Sequence, residues 1–280
     1  MKVEACFRLI EPAEERREEA DHGAFRLVGF AFPRPAAGRP SQDALAAWRR
    51  EDALVLAVAD GVGGLPGGGS AARLALACLE ACLSLDRPAR DAILDAFEEA
   101  NTRILGSGSA TTLTVVELAH GGLRTYHCGD SSALVCGQRG RVKLFLVGHG
   151  PVGYAEHAGL LDEEEALRHD ERHLISNHLG AVDMRVEMGS LPRLAPRDTV
   201  LLASDGLWDN LRREEIVEAV RKGSLGQGVH RLAALVRERM AGSEGGRPSK
   251  PDDLSLLAAR PRSPRRRRPA GPAPSPEPAA

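Results

Sequence analysis

The sequence predicts an α+β fold in which sheets are covered by helices. Two observations carry this reading. Short apolar or alternating runs come in blocks, and pairs of amphipathic helical stretches separate those blocks. The resulting order is strands, two helices, strands, two helices, then a strand. That is not the regular strand–helix alternation that builds a parallel sheet. A third observation concerns the core. Hydrophobic residues make up 42% of the 280-residue chain but aromatic ones only 4%, so the interior is aliphatic.

Val3–Ile10 alternates apolar and polar residues, as a half-buried strand does. Glu11–Gly23 is polar and of mixed sign, and reads as a solvated loop or hairpin end. Ala24–Phe32 is a second strand, stopped by Pro33 and Pro35. Asp43–Trp48 and Ala53–Asp60 follow as strands, the latter apolar enough to be buried on both faces. Ala71, Leu74, Ala75, Cys78, Leu79 and Cys82 then recur at helical spacing. Pro88 suits the first turn of another helix, with a stripe of Ile93, Phe97, Ala100 and Ile104. After the break at Gly106–Ala110 come Thr111–Leu118, Leu123–Asp130, Ser132–Gly137 and Arg141–Gly148, short strands with Gly-containing turns that predict antiparallel hairpins. His149–Asp183 is polar, only partly helical in pattern, and reads as a flap-like excursion from the sheet. Asp198–Gly206 is a buried strand. "REEIVEAVRKG" and "VHRLAALVRERM" are amphipathic helices, and Asp252–Arg260 is the last strand. From residue 261 the composition changes. Prolines crowd the end of the chain around the basic run Arg265–Arg268, so 261–280 is expected to be a disordered tail.

Bulk properties exclude several classes. A formal net charge of -2 argues against a nucleic-acid binder. No run reaches the length of a membrane span, and the start is no signal peptide. The five cysteines fit neither a disulfide framework nor a zinc site; Cys78 and Cys82 lie on an apolar helical stripe. A cytoplasmic, monomeric protein from a GC-rich bacterial genome is expected.

The chemistry gathers at strand ends. "LAVADG", "YHCGD" and "LLASDG" close apolar strands on Asp60, Asp130 and Asp205. "KPDDLSLL" opens the last strand on Asp252 and Asp253, and "SQDALAAW" opens an early one on Asp43. Any one of these reads equally well as a turn aspartate. Five such strand ends together are costly, because a carboxylate beside an apolar strand needs a partner, and few basic residues lie nearby; Arg39 is the one close to an early aspartate. Divalent ions would resolve the charge, and an all-oxygen donor set selects Mg²⁺ or Mn²⁺. Glycines after Asp60 suggest a phosphate cradle instead. That reading lacks the lysine of a phosphate-binding loop and the parallel unit of a dinucleotide fold.

"VADGVGG", "GSGSATTLTVVEL", "YHCGDSSALV", "LLASDGLWDNL" and "KPDDLSLLAAR", in that order, resemble the motifs of metal-dependent protein phosphatases of type 2C, in a bacterial-type member. The resemblance runs from about Ala24 to Arg260 and implies one phosphatase domain over 1–260. It implies a β-sandwich of two antiparallel sheets flanked by helices, in four layers α-β-β-α. It also implies hydrolysis of phosphoserine and phosphothreonine esters with two Mn²⁺ or Mg²⁺ ions. By resemblance, Asp60 bridges both ions, the Gly61 carbonyl binds one, and Asp205 and Asp252 complete the other. Asp43 holds a metal-bound water, Asp130 helps hold a third, weaker ion, and Arg39 clamps the substrate phosphate. A phosphoprotein is the implied substrate, and a serine/threonine kinase acting on the same targets is the implied partner.

The chain departs from the family pattern in several places. Gln42 stands where many members carry Glu, and Arg39 lies one residue closer to Asp43 than is common. Val62 replaces a histidine of eukaryotic members. Asp253 replaces an Asn, a change expected to have little effect. His127 reads as a core or strand-end residue and His149 as part of the flap. Cys128 and Cys136 do not read as nucleophiles. Gln42 and the short Arg39 spacing also leave open a catalytically weak or dead phosphatase-fold module that regulates a kinase or signalling partner.

Overall fold

A computed structural model of the chain describes residues 2–65, 67–242 and 247–262. Two six-stranded antiparallel sheets stack face to face. The first has the order β1-β4-β5-β6-β7-β10, and the second β2-β3-β12-β11-β8-β9. In the first sheet β1 is Glu4–Ile10, β4 Asp43–Arg49, β5 Leu54–Asp60, β6 Leu113–Ala119, β7 Gly122–Cys128 and β10 Glu187–Leu191. In the second β2 is Arg16–His22, β3 Phe25–Phe32, β8 Ser132–Cys136, β9 Val142–Phe145, β11 Thr199–Ala203 and β12 Leu254–Pro261.

Strand alternation builds the layers. On β4, Ala44, Ala46 and Trp48 face outward to helices α1 (Gly68–Leu83) and α2 (Ala89–Ile104), while Leu45 and Ala47 face the partner sheet. On β5, Val55, Ala57 and Ala59 take the helix side, and Leu54, Leu56 and Val58 the sandwich interior. The second sheet repeats this. Leu256 and Ala258 meet α6 (Arg213–Val220) and α7 (Leu225–Met240), and Leu257 and Ala259 point inward. Strands buried on both faces therefore read as unbroken apolar runs. The four layers α-β-β-α agree with the expected sandwich, and Cys78 and Cys82 lie on the core-facing side of α1.

Three sequence expectations need correction. The stretch expected as a loop, 11–23, contains β2. It is charged because it is a sheet edge, where one face and one flank meet water. Its Asp21 stands opposite Arg26 on β3, the kind of cross-strand pair an edge tolerates. The flap region is more regular than its pattern suggested. It contains α3 (Pro151–His157), α4 (Glu163–Arg168, opened by an Asp162–Glu165 capping box) and a 3-10 turn over Asp170–His173. Beyond it β10, which polar composition concealed, forms the other sheet's edge. The tail begins later than residue 261. Pro261 still pairs with Phe25, and the Arg262 amide donates to the Ala24 carbonyl at 2.6 Å. The basic run Arg265–Arg268 lies outside the described residues. No described helix is long and apolar enough to cross a membrane.

Candidate metal centre

The antiparallel register of β4 and β5 sets Asp43 directly opposite Asp60. Like charges so placed repel, and Asp43 is fully buried. The second sheet brings further carboxylates to the same end. Asp130 lies in the turn from β7 to β8. Asp205 begins α5 (Asp205–Trp208), the short helix after β11, and so does not sit on the strand tip. Asp252 and Asp253 precede β12.

The carboxylates act on one another. Burial first, then repulsion from Asp253, Asp205 and Asp252, holds Asp43 well above the usual carboxylate range. Asp60 is raised by burial and by Asp43, Asp205, Asp252 and Asp130 together. Asp130 is raised by burial and by Asp205. Burial and Asp205 push Asp252 up to about 7 despite the opposing Lys250. The structure thus brings together all five aspartates that the sequence singled out.

Local hydrogen bonds hold the frame. The Thr111 hydroxyl and the Thr112 amide both donate to the Asp60 carbonyl at 2.8 Å, and the Asp60 amide donates to the Thr112 hydroxyl. Thr112 and Ser131 hydroxyls lie 2.8 Å apart, tying β5 to the Asp130 turn. Gly61 is needed for space. A Cβ there would lie 2.3 Å from the Gly68 backbone, so only glycine lets α1 start against this strand end.

Arg39 reaches the cluster indirectly. Its Nη1 donates to Asp253 Oδ2 at 3.0 Å and to the Pro40 carbonyl, and its side chain is 38% exposed. Asp253 does more than a conservative replacement would. Its Oδ1 accepts from the Arg34 amide at 2.6 Å, and its Oδ2 also accepts from the Gln42 amide at 2.7 Å. It therefore straps the 34–42 loop to β12. These contacts join residues more than two hundred apart in sequence, which meet only in the fold.

The sequence reading also missed Lys250 and Asp209. Lys250 Nζ pairs with Asp205, with Asp209 Oδ2 at 2.8 Å and with Asp252 Oδ2 at 3.2 Å. Asp209 lies four residues after Asp205, a helical spacing that "SDGLWDN" displayed. Burial and Asp205 push Asp209 up to about 6 against the pull of Lys250. The His127 and His149 rings lie 4.0 Å apart between centroids, tilted by 35°. His149, at the start of the flap region, is buried. Its Nδ1 accepts from the Gly129 amide and the Asn177 amide, and its Nε2 pairs with Glu187, so it buttresses the turn that carries Asp130. Burial, then His149, pushes His127 down to about 3.

A cavity of about 450 Å³ opens from Asp130, Asp205 and Asp209 toward Phe145, Leu167 and Trp208. Ion pairs of Arg213 with Glu156 and Glu163 pin α3 and α4 over it.

The donors fit a hard divalent cation. The Ser204 hydroxyl lies near enough to Asp43 to favour its ionised form, yet neither Asp43 oxygen completes a hydrogen bond of good geometry, nor does Asp130 Oδ1. Buried carboxylate oxygens without donors, at one end of two sheets, are what an oxygen-ligated ion satisfies. Among the described residues no three Asp, Glu, His or Cys side chains are placed so that they could hold a metal ion without rearranging. On the Asp205 side they stand around an ammonium.

Fold and site define the class: an α-β-β-α sandwich with an oxygen-donor acidic centre where its two sheets meet. Residues 34–237 match the family model described as protein phosphatase 2C, and the chain belongs to that family. It is similar to the serine/threonine protein phosphatase PstP of Mycobacterium tuberculosis, 31% identical over 194 residues, 65% of this chain. The match spans 37% of that relative's length. The solved structure of the M. tuberculosis phosphatase PstP/Ppp superposes with a TM-score of 0.69 at 26% identity, covering 85% of this chain and 99% of that one. A PstP catalytic domain in complex with two manganese ions superposes with a TM-score of 0.66 at 25% identity, over 85% and 99%.

Proposed function

We propose that the chain is a metal-dependent serine/threonine protein phosphatase, its catalytic domain ending with β12, that binds two Mn²⁺ or Mg²⁺ ions at the aspartate cluster. One observation carries the reading: Asp43, Asp60, Asp130, Asp205 and Asp252 converge from both sheets, and burial together with the neighbouring carboxylates raises the proton affinity of Asp43, Asp60, Asp130 and Asp252. When bound, the ions supply an activated water and positive charge for the phosphoryl oxygens. The manganese-bound PstP domain supports that metal count.

Asp60 feels carboxylates from both sheets and would be the ligand common to the two ions, with the Gly61 carbonyl beside it. Asp205 and Asp252 would hold one ion, and Asp130 would help hold a third, weaker one. Asp43 would hold a metal-bound water, for which its oxygens, lacking a hydrogen bond of good geometry, would serve as acceptors. Arg39, steered by Asp253, binds the phosphate through the planar donor fork of its guanidinium. No thiol takes part. Burial pushes Cys128 up to about 12 and Cys136 up to about 11, leaving neither a thiolate at neutral pH. The cavity beside Trp208 receives the phosphoprotein segment around the phosphorylated residue. A kinase acting on the same targets, a cytoplasmic site and a monomeric state belong to the same reading.

The test is Mn²⁺-dependent hydrolysis of p-nitrophenyl phosphate and of a phosphothreonine peptide. Asp60→Asn and Asp205→Asn should each lose at least about a hundredfold in kcat/KM, ~2.7 kcal/mol of barrier. Undiminished turnover in excess chelator would overturn the reading.

A further inference from the structure

We propose that Lys250 is a resident cation of this centre: its ammonium holds a position among Asp205, Asp209 and Asp252 for which a divalent ion has to compete. The inference rests on the phosphatase reading above. An ammonium carries three N–H donors, and Lys250 Nζ faces one oxygen of each of three carboxylates. A lysine ordinarily extends its charged head into water. This one is 19% exposed and turned inward.

The backbone shows that the placement is built in. The fully buried Asn210 clasps Lys250 at both main-chain groups. The Lys250 amide donates to Asn210 Oδ1 at 2.8 Å, and Asn210 Nδ2 donates to the Lys250 carbonyl at 2.9 Å. The same Nδ2 donates to the Gly206 carbonyl at 3.0 Å. One short segment, 205–210, therefore supplies two of the carboxylates and the amide that fixes the lysine opposite them. Pro251 then restricts the backbone before Asp252.

The competition is local. The ion pairs of Lys250 run to the second-sheet side of the cluster, so an ion shared by Asp205 and Asp252 has to displace it, whereas the Asp60 and Gly61 side is untouched. One metal is then held tightly and another weakly, and the weak one sets the metal concentration at which the enzyme switches on.

Isothermal calorimetry with Mn²⁺ on the wild type and on Lys250→Met tests this. The variant should bind the weaker equivalent at least about tenfold more tightly, or take up an equivalent the wild type lacks. Lys250→Gln, which keeps a hydrogen-bond donor, should move the same way and serves if the methionine variant does not fold. A second measurement uses the unaltered protein: acetic anhydride labelling of Lys250, read by mass spectrometry, should be low in chelator and rise as Mn²⁺ saturates. If the wild type binds Mn²⁺ and hydrolyses phosphoesters while affinity, stoichiometry and labelling stay unchanged, the inference is overturned and the phosphatase reading stands. If neither wild type nor variant binds Mn²⁺ or turns over substrate, the phosphatase reading fails and takes the inference with it. A wild type that is nearly inert beside a variant that binds metal and turns over supports the inference.

Discussion

Replacing Asp253 by Asn changes one atom and disturbs three hydrogen bonds. The carboxylate accepts from the Arg34 amide at 2.6 Å, the Gln42 amide at 2.7 Å and Arg39 Nη1 at 3.0 Å, and the residue is 3% exposed. An Asn offers one oxygen, so whichever way it turns, its NH₂ faces a backbone N–H. A hydrogen bond to a charged group is worth about 1.5–3 kcal/mol, and the stranded amide adds to the loss. One effect opposes this. Asp253 is the strongest of the charges raising Asp43, so removing it relieves that repulsion and offsets part of the loss. The balance is a destabilisation of about 1–3 kcal/mol. At ~2–4 °C per kcal/mol for a chain of this size, the melting temperature should drop by roughly 2–12 °C. The partly exposed Arg39 pair is worth at most ~1 kcal/mol, so KM for a phosphothreonine peptide should rise no more than about fivefold. Calorimetric melting in chelator and steady-state kinetics measure both. An unchanged or higher melting temperature would show that Asp253 is a like-charge liability and not the strap of the 34–42 loop.

The metal-free protein should be more stable at pH 5 than at pH 8. Asp209 and Asp252 bind protons more tightly folded than unfolded, up to about 6 and about 7, so that stability is present below the unfolded value and lost as pH rises through the folded one. Melting curves in chelator across this range check the sign, and saturating Mn²⁺ should flatten or reverse the trend, because ligation favours the ionised forms. Gly206→Ala should cost at least ~2 kcal/mol, since a Cβ there would lie 2.0 Å from the Asp253 carbonyl oxygen; soluble expression with an unaltered melting temperature would contradict the close approach of α5 and β12. Iodoacetamide at pH 7.5 should leave turnover intact, because Cys128 and Cys136 are buried and held as thiols, and stoichiometric inactivation would show otherwise.

Much of this centre was legible in the chain. Aspartate is rare beside apolar strands, so Asp43, Asp60, Asp130, Asp205 and Asp252 stood out at strand ends, and the order of their motifs pointed to the family. The doubly buried strands were equally plain, because both faces of β5 and β12 meet a packed layer. The edge strands β2 and β10 were not. Half of an edge's surroundings is water, so its composition looks like a loop's.

What the sequence by itself determined is the alternation that makes two sheets and the residue types that make an oxygen-donor centre. Both follow from local rules, a period of two and the cost of burying a charge. What only the tertiary structure decided is which charges meet. Asp43 faces Asp60 because of a register, Asp253 gathers the 34–42 loop from across the chain, and Lys250 stands among Asp205, Asp209 and Asp252 because Asn210 clasps its backbone. Coulomb energy depends on distance in space, and a linear sequence does not carry that distance.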